Sequence, residues 1–400
     1  MIGTINNGDV AFMVVTTVLV FLMTPGLAFF YGGLMEKKNA LTMMVYTFLS
    51  IGMVTILWVL GGFSLVFGKD AGGLIGNPAD YFMLAGVDFS INPHYGSKIP
   101  FLMFFMYQLM FAIITAPLMT GAFANRMKIG GWLRVLVLWM FLIYFPVAHW
   151  VWGGGFLSQW GFVDYAGGTV IHVTAGFAAL ASVFFFGKRA YPYKGFAGNV
   201  VWMAIGGSIL LFGWFGFNSG GALSGGQVAA IAFTNTGIAA GFSAMIWVFL
   251  AYMRDRRFSL TEFMTGAIAG LATITPCSGY INPQGAVIVG LLAPLICFFS
   301  LKLMQYIRMD DTLGVWGVHG MGGLSGSVLT GVLAIYEVNQ ISAGVHQLSI
   351  QILGVILVAS YSFIVTYLIL KICDSVSSIR VPDSIQEEGL DRYYMKERIE

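Results

Sequence analysis

Two histidines lie within long apolar stretches of the sequence, each eight residues after an aspartate. Asp164 precedes His172, and Asp311 precedes His319. A carboxylate at the start of a helix accepts hydrogen bonds from free backbone N–H groups and suits the helix dipole. The spacing therefore predicts two helices that each begin at the aspartate. Eight residues at 1.5 Å per residue place each imidazole ~12 Å along its helix.

A pair of buried imidazoles can do more than one kind of chemistry. Neutral imidazoles share a proton and pass it on, and they also ligate haem or metal ions. The three cysteines, Cys277, Cys297 and Cys373, are far apart and are expected to be apolar packing residues. Because no further cluster of histidine, cysteine or carboxylate completes a metal or redox site, a proton relay or polar station in a narrow pore fits better. We expect no metal, no other cofactor and no enzymatic activity.

The remaining ionisable residues near apolar segments have simpler explanations. Glu262 is expected to be a carboxylate at a helix end, close to a basic loop. His149 comes just before the end of an apolar segment, and His94 and His346 lie in loops. We expect these three histidines to be structural or solvated.

The composition predicts that the surrounding solvent is a lipid bilayer. Hydrophobic residues make up 58% of the 400 residues and charged residues 10%, whereas soluble domains carry about 25% charged residues. The net charge of +2 argues against a nucleic-acid partner. Runs of ~20 apolar residues mark spanning helices. Eleven such runs lie near 9–34, 39–68, 99–125, 130–152, 164–187, 197–219, 226–253, 260–280, 284–306, 311–336 and 347–373.

The basic residues give this division an orientation. Of the 20 lysines and arginines, 18 lie at or beside alternate connections or after the last segment, and only Lys69 and Lys98 lie on the other side. The positive-inside rule then places the N-terminus outside and the C-terminus inside. No basic stretch precedes the first segment, so we expect no cleaved signal peptide. We divide the chain into an eleven-helix membrane domain, 1–373, and a cytoplasmic tail, 374–400.

The two histidine segments enter the bilayer from opposite faces. The fifth segment begins outside and the tenth begins inside, so equal depths bring His172 and His319 to the same level, near the middle of a ~30 Å core. An inverted repeat of five plus five helices produces this arrangement, and sites at repeat interfaces lie near the midplane. The predicted fold is an all-α membrane protein with such a repeat and an eleventh, extra helix.

Three blocks rich in aromatic residues and glycine, at 107–115, 145–155 and 212–221, allow two interpretations. They fit an interfacial aromatic belt with close helix packing. They also fit a cage of ring faces at the outer mouth that attracts a small cation.

These motifs resemble the signature of the ammonium transporter (Amt/MEP/Rh) family, and the prokaryotic Amt branch in particular. The resemblance rests on DYAGGTVIHVTAG at 164–176 with GKR at 187–189, on FGWFGFN at 212–218, on residues 310–323 and on GLD at 389–391. It implies ammonium as the substrate, a homotrimer with one pore per subunit, and a location in the plasma membrane. It also implies a PII-type signal-transduction protein as a partner at the cytoplasmic face.

The resemblance also implies roles for residues of an outer site. Trp152 and Phe111 correspond to the aromatic members of an ammonium site, and Phe111 and Phe217 to a stacked phenyl gate below it. Asp164 corresponds to a structural carboxylate that directs the Ala166 carbonyl toward that site.

Within the pore, the resemblance assigns His172 and His319 to a histidine pair and Trp214 to the pore wall near the second histidine. Two positions differ from many relatives. Gly221 stands where a serine hydroxyl often contacts the cation, which suggests a weaker or water-mediated outer site. Gly314 stands where an aspartate is common, which leaves the local hydrogen bonding there open.

The function that these features predict is ammonium transport with deprotonation at the mouth. Potassium is similar to ammonium in size but cannot lose a proton, and an apolar bore makes permeation of an intact ion expensive. One alternative is an ammonium sensor on the same fold that signals through its tail. Another, from a different class, is a membrane redox enzyme with a bis-histidine haem.

Overall fold

The computed structural model of the chain describes residues 4–189 and 197–397, in which long helices run side by side. Lys194 and Arg398, two of the counted basic residues, lie outside this part. The main helices are α1 Asn7–Leu34, α2 Lys37–Phe67, α3 Phe101–Phe123, α4 Ile129–Gln159 with a break after Trp152, α5 Gly168–Phe186, α6 Val200–Ala222, α7 Gln227–Asp255, α8 Leu260–Ile274, α9 Pro283–Tyr306, α10 at 316–333 and α11 Val345–Val376. Within the described ranges, nine of them are long and apolar enough to cross a membrane; α8 and α10 are not among these nine.

Each predicted segment corresponds to one of these helices, and the two differ at the ends. The fifth predicted segment starts at residue 164, but α5 starts at Gly168, because Asp164 lies in the loop ahead of the helix. The eighth extends to residue 280, but α8 ends at Ile274. Pro276 follows closely, and a proline has no backbone N–H with which to continue the helical hydrogen bonds. The last helix continues to Val376.

The helices alternate in direction between two faces of the bundle. We call the face where α1 begins the upper face and the opposite one the lower face. The longest connection, between α2 and α3, lies on the upper face and contains the two-stranded antiparallel pair β1 Asp70–Ala71 and β2 Ile75–Gly76. A helical turn, Tyr336–Asn339, lies between α10 and α11.

Glycines bring α1 and α6 into backbone contact. A Cβ atom on Gly206 would lie 2.2 Å from the backbone nitrogen of Phe30, and one on Gly33 would lie 2.3 Å from the backbone nitrogen of Met203. Such distances are below any real van der Waals contact. Small residues at these positions allow close packing where lipid gives no hydrophobic driving force between helices.

Glycines also bring α5 and α10 into backbone contact. A Cβ atom on Gly176 would lie 2.2 Å from the Cα atom of Gly320, and one on Gly323 would lie 2.3 Å from the backbone oxygen of Gly168. The two helices therefore cross at backbone contact. His172 lies between the two glycines of α5 that make these contacts.

The tail that follows α11 is docked on the lower face. Its backbone pairs with the α3–α4 connection, where the N–H of Lys128 donates to the oxygen of Ile379 at 2.8 Å. Two short helices follow, α12 Asp383–Glu388 and α13 Asp391–Tyr394. The Asp391 carboxylate accepts hydrogen bonds from the N–H groups of Leu41 and Thr42, near the start of α2. These contacts dock the described part of the tail on the bundle.

The α1–α6 packing makes a stability prediction. Gly206→Ala inserts a methyl group against the Phe30 backbone and lowers the Tm of the detergent-solubilised protein, because overpacking costs about 1–3 kcal/mol. Gly241→Ala is the matched control. Nothing lies within 4 Å of a Cβ atom on Gly241, and alanine is favoured over glycine within helices. Thermal unfolding that places Gly206→Ala at or above Gly241→Ala would contradict the packing argument.

Candidate functional site

The start of α5 is built around one carboxylate. Asp164 is buried, and its two oxygens accept hydrogen bonds from four consecutive backbone N–H groups at 2.7–3.0 Å, those of residues 167–170. These groups have no partner within a helix, because they belong to its first turn. Gly167 adopts a left-handed conformation, with φ 106°, which lets the loop fold back around the carboxylate.

The start of α10 uses a second carboxylate in the same way. Asp311 accepts from the N–H groups of Val315 and Trp316 at 3.0 and 2.8 Å. Both helices then begin with a π-helical turn that contains the histidine, Gly168–Val173 in α5 and Trp316–Gly320 in α10. Such turns are rare in helices and occur often at functional sites.

The two histidines meet at the crossing of α5 and α10. Both are buried, their ring centroids are 5.1 Å apart, and the Nδ1 atoms are 3.3 Å apart. In a neutral pair only one Nδ1 carries a hydrogen, which it donates to the other. The donor ring therefore has a bare Nε2 and the acceptor ring has an Nε2–H. The pair thus offers one acceptor and one donor, and Nε2 of His172 has no hydrogen-bond partner among the described residues.

A small cavity of about 20 Å³ lies against the pair, and we call it the histidine cavity. Its other walls are mainly aliphatic and aromatic. Where they carry polar groups, those groups are occupied, since Tyr31 donates to the Leu118 oxygen and Trp214 to the Thr275 hydroxyl, both at 2.9 Å. A cavity of this size holds about one small molecule. It cannot hold a porphyrin, which argues against the bis-histidine haem.

A larger cavity of about 560 Å³ opens on the upper face, and we call it the upper cavity. The ring of Trp152 lies 6.0 Å from that of Phe111. Its indole Nε1 donates to the backbone oxygen of Asp164 at 2.9 Å, so the indole is held by the loop that starts α5. The residues at the deep end include Gln108, Phe111, Trp152, Tyr165, Ala166 and Gly221.

Phe111 and Phe217 separate these two cavities. Phe111 lines the upper cavity, Phe217 lines the histidine cavity, and their ring centroids are 4.5 Å apart. The expectation of a stacked pair is wrong, because the rings are inclined at 82°. The electron-poor edge of one aromatic ring prefers the electron-rich face of another, which favours this edge-to-face contact.

Trp214 also differs from its expected place. It was expected near the second histidine, but its ring stacks on the first, 5.3 Å from His172 and inclined at 27°. It lines the histidine cavity together with His319. The cause is the crossing of α5 and α10, which puts the His172 ring between Trp214 and His319.

A third cavity of about 850 Å³ opens on the lower face. Beside it, Asp310 binds Arg189 through both carboxylate oxygens at 2.8 and 2.7 Å and lies 3.6 Å from Arg126. Burial lowers the pKa of Arg126 to about 10, so the group is still charged at neutral pH. This network ties the lower ends of α3 and α5 to the start of α10.

His149 is a structural residue. It is buried near the end of the first part of α4, with Nδ1 2.7 Å from the Val66 oxygen and Nε2 2.9 Å from the Asp70 carboxylate. The hydrogen bond from His149 holds the pKa of the Asp70 carboxyl below its usual value. Because Trp152 follows His149 within one turn of α4, the contact between His149 and Asp70 also holds in place the segment that carries the Trp152 indole.

The other residues considered from the sequence do not line the histidine cavity. Glu262 is in the first turn of α8, where it accepts from Trp247 and Arg254. His94 lines the outer part of the upper cavity, and His346 is exposed in the first turn of α11. All three cysteines are free and buried.

The two glycines that the family resemblance singled out, Gly221 and Gly314, have clear structural settings. A Cβ atom on Gly221 would lie 3.0 Å from the Tyr165 ring, so that ring closely flanks the position. Gly314 has φ 71°, a conformation that favours glycine.

Sequence reasoning missed two kinds of polar residue. One is an uncharged polar residue within a helix, and the other is an ionisable residue in a loop. Gln108 lines the upper cavity, and Asp70 holds His149. A search of spanning segments for charge passes over a neutral amide. Gln108 was detectable as an amide within the run FLMFFMYQLMFAIIT at 101–115.

Comparisons with known proteins agree on one family. The model described as Ammonium Transporter Family matches residues 11–398. The chain is 38% identical over 392 residues to the ammonium transporter Amt1 of Archaeoglobus fulgidus, covering 96% of this chain and 97% of that protein. It is 39% identical over 393 residues to the ammonium transporter of Bacillus subtilis, covering 96% of each.

Solved structures agree with these sequence matches. The crystal structure of Candida albicans Mep2 has a TM-score of 0.88 and 33% identity, covering 95% of this chain and 87% of that one. A structure named Sensor Amt Protein has a TM-score of 0.89 and 28% identity, covering 97% and 98%.

The capping of α5 predicts a graded loss of stability. Asp164→Asn keeps one acceptor oxygen for four N–H groups, whereas Asp311→Asn keeps one for two. A buried N–H without a partner costs about 1–3 kcal/mol. We expect Asp164→Asn to lower the Tm in detergent more than Asp311→Asn does. Equal losses, or a larger loss in Asp311→Asn, would contradict this role of Asp164.

The pair of Asp70 and His149 predicts a dependence of stability on pH. Because the pKa of Asp70 is lower in the folded protein, its carboxylate stabilises the fold above the unfolded value of about 3.9. This contribution is lost as the pH falls through the folded value. The Tm difference between the wild type and Asp70→Asn should therefore shrink from pH 6 to pH 3.

Asp80→Asn is the control for this measurement, because Asp80 lies on the same connection and bonds to Asn77 and the Lys69 backbone. A difference between wild type and Asp70→Asn that stays constant down to pH 3 would show that the ionised carboxylate adds nothing.

Proposed function

Because this chain belongs to the ammonium transporter family, we propose that it conducts ammonium across a cell membrane as neutral ammonia. Its relatives are named as ammonium transporters, and its long apolar helices fit a multi-pass membrane protein. The route runs through the upper cavity, past Phe111 and Phe217, into the histidine cavity and on to the lower face. The proposal depends most on one observation, namely the aromatic barrier between a wide cavity and a very small one.

Recruitment takes place in the upper cavity as the cation. The ring faces of Trp152 and Phe111 attract a cation, with up to about 2 kcal/mol once it loses water. The backbone carbonyl of Ala166 supplies an acceptor for one N–H of ammonium. Asp164 is a structural residue in this scheme, since its oxygens already accept four backbone N–H groups and its loop holds the Trp152 indole.

Deprotonation takes place before the aromatic barrier, and the proton passes to water in the upper cavity. From there it either stays outside or crosses separately along the histidine pair, and only the second course carries a current. Burial of an unpaired ion in an apolar site costs far more than burial of a small polar molecule. Beyond Phe217, the described walls offer no carboxylate to pair with a cation. Ammonia can pass into the histidine cavity, and potassium cannot, because it has no proton to lose. This difference accounts for selection between two cations of similar size.

His172 and His319 form the polar station on this route. The free Nε2 atom of His172 can bond to ammonia, which both donates and accepts. The shared hydrogen between the two Nδ1 atoms also offers a path for a proton along the pair. Trp214 forms the wall beside them. Either use requires that the rings stay in contact.

The arrangement in the membrane follows from the same features. We propose eleven spanning helices, with the upper face outside and the lower face inside. The basic residues support this orientation. The two capped π turns with their histidines support an inverted repeat of five plus five helices, with α11 as the extra one. We also propose a membrane domain at 1–373 and a cytoplasmic tail at 374–400.

Assembly and regulation rest on the family resemblance. A homotrimer with one pore per subunit and a PII-type partner on the lower face remain predictions. The docked tail and the charged residues beside the lower cavity give such a partner a structured surface.

A second candidate function is ammonium sensing on the same fold. It is favoured by the likeness to the structure named Sensor Amt Protein and by the tail, which contacts the starts of α2 and α4. A sensor would bind ammonium in the upper cavity without sustained flux. Transport measurements on purified protein separate the two functions.

The histidine pair gives the central test. His172→Leu and His319→Leu should abolish the ammonium-evoked current in proteoliposomes or admit potassium, because an apolar side chain removes the polar station. Loss of one hydrogen bond to permeating ammonia costs about 1–3 kcal/mol, so the current should fall about tenfold where it persists. His346→Leu, on the exposed surface, is the control. Wild-type current and potassium rejection in both pore variants would refute the mechanism.

A further inference from the structure

We propose that Gln108 is a ligand for the cation in the upper cavity, with its amide oxygen accepting a hydrogen bond from bound ammonium. This inference rests on the proposed function, because it assigns a residue to the recruitment step. Gln108 lies three residues before Phe111 on α3. Residues at this spacing lie on the same side of a helix, and both line the upper cavity.

The amide of Gln108 has no partner in the part of the chain that the structure describes. The other two polar side chains in the first helical stretch of α3 are occupied, since Tyr107 donates to the Phe217 oxygen and Thr115 to the Phe111 oxygen. Gln108 is 9% exposed, and it is among the residues that line the upper cavity. A buried amide without a partner is unfavourable, so this side chain needs a ligand or water from the cavity.

The surroundings make the amide oxygen a suitable acceptor for ammonium. The rings of Phe111 and Trp152 offer faces to a cation but no directional acceptor. The indole N–H of Trp152 points to the Asp164 backbone, so it does not oppose a cation. Gly221 contributes no side chain. An ammonium ion against the rings has N–H groups left over, and Gln108 supplies an oxygen on the same side.

A neutral amide also suits the next step. A carboxylate at this position would hold the cation and oppose its deprotonation. The amide dipole binds the ion more weakly and still accepts from an N–H. Amide carbonyls bind potassium as well, so Gln108 strengthens cation binding, while rejection of potassium stays with the aromatic barrier.

The test is an ammonium titration of the current in proteoliposomes. Gln108→Met keeps the length of the side chain and removes the amide. We expect at least a tenfold higher half-saturating ammonium concentration, a maximal current within twofold of wild type, and unchanged potassium rejection. Gln108→Glu restores an acceptor and should give a half-saturating concentration at or below that of the wild type. Gln159→Met, at an exposed glutamine at the end of α4 that lines none of the three cavities, should titrate like wild type.

Two results would overturn the proposal. One is a Gln108→Met titration that matches wild type, and the other is a loss of maximal current without a change in half-saturation, which indicates a role in permeation or folding. If Gln108→Met does not fold, Gln108→Glu decides, because a half-saturating concentration above wild type contradicts an acceptor role.

Binding is measured separately by the rise in Tm that ammonium chloride causes in detergent, relative to sodium chloride. This rise should be smaller in Gln108→Met than in the wild type, and an equal rise overturns the proposal. A wild-type protein that shows the rise but neither a current nor a change of internal pH on an ammonium pulse refutes transport and leaves the Gln108 assignment standing. A wild-type current with no effect of Gln108→Met refutes only the assignment.

Discussion

The backbone contact between α5 and α10 is the constraint on which the rest of the pore depends. Gly176 meets Gly320 and Gly323 meets Gly168 at distances that leave no room for a Cβ atom. This close contact between the helices lets the two imidazoles, whose helices begin at opposite faces of the bundle, share one hydrogen. With larger residues at the crossing, each histidine would be an isolated polar group in an apolar core, which is costly in the absence of a partner.

The carboxylates at the helix starts serve this crossing. Asp164 and Asp311 satisfy the N–H groups that open α5 and α10, and each does so ahead of a π-helical turn. Neither carboxylate lines the histidine cavity. Among the described residues that line the histidine cavity there is no carboxylate, lysine or arginine. This distribution suits a route for a neutral molecule better than one for an ion.

The cavities show how discrimination can arise without a tight filter. The upper cavity is wide, polar at its mouth and aromatic at its deep end. The histidine cavity is near the size of a single small molecule. Between them, Phe111 and Phe217 meet edge to face, so the barrier is a packed contact that must open by side-chain motion. In the proposed mechanism, a cation would bear the full cost of desolvation at this contact, whereas neutral ammonia would bear little of it.

The lower face carries the contacts through which binding there could influence the pore. Arg126 and Arg189 connect the ends of α3 and α5 to Asp310, next to the carboxylate that caps α10. The tail pairs with the connection that contains Arg126. Both histidine helices are therefore tied to the same surface, which is also where the resemblance places a soluble partner.

The sequence by itself determined the approximate positions of the helices, and it predicted that the two histidines, which the structure brings into contact, lie at one level. The free energy of transferring apolar residues into lipid is nearly additive over a short segment, and so is the preference of basic residues for one side of the membrane. Both can therefore be summed along the chain. The spacing of eight residues from Asp164 and Asp311 to their histidines similarly gives a distance along each helix, because the rise per residue is fixed. The family resemblance added the roles of Trp152 and Phe217, which spacing does not provide.

Only the tertiary structure decided how the side chains meet. The edge-to-face contact of Phe111 with Phe217, the stacking of Trp214 on His172, and the bond between His149 and Asp70 join residues far apart in the chain. Each depends on how helices rotate and how closely they approach. The free amide of Gln108 has the same origin, because a polar residue in an apolar helix gains meaning only from the surface that it faces.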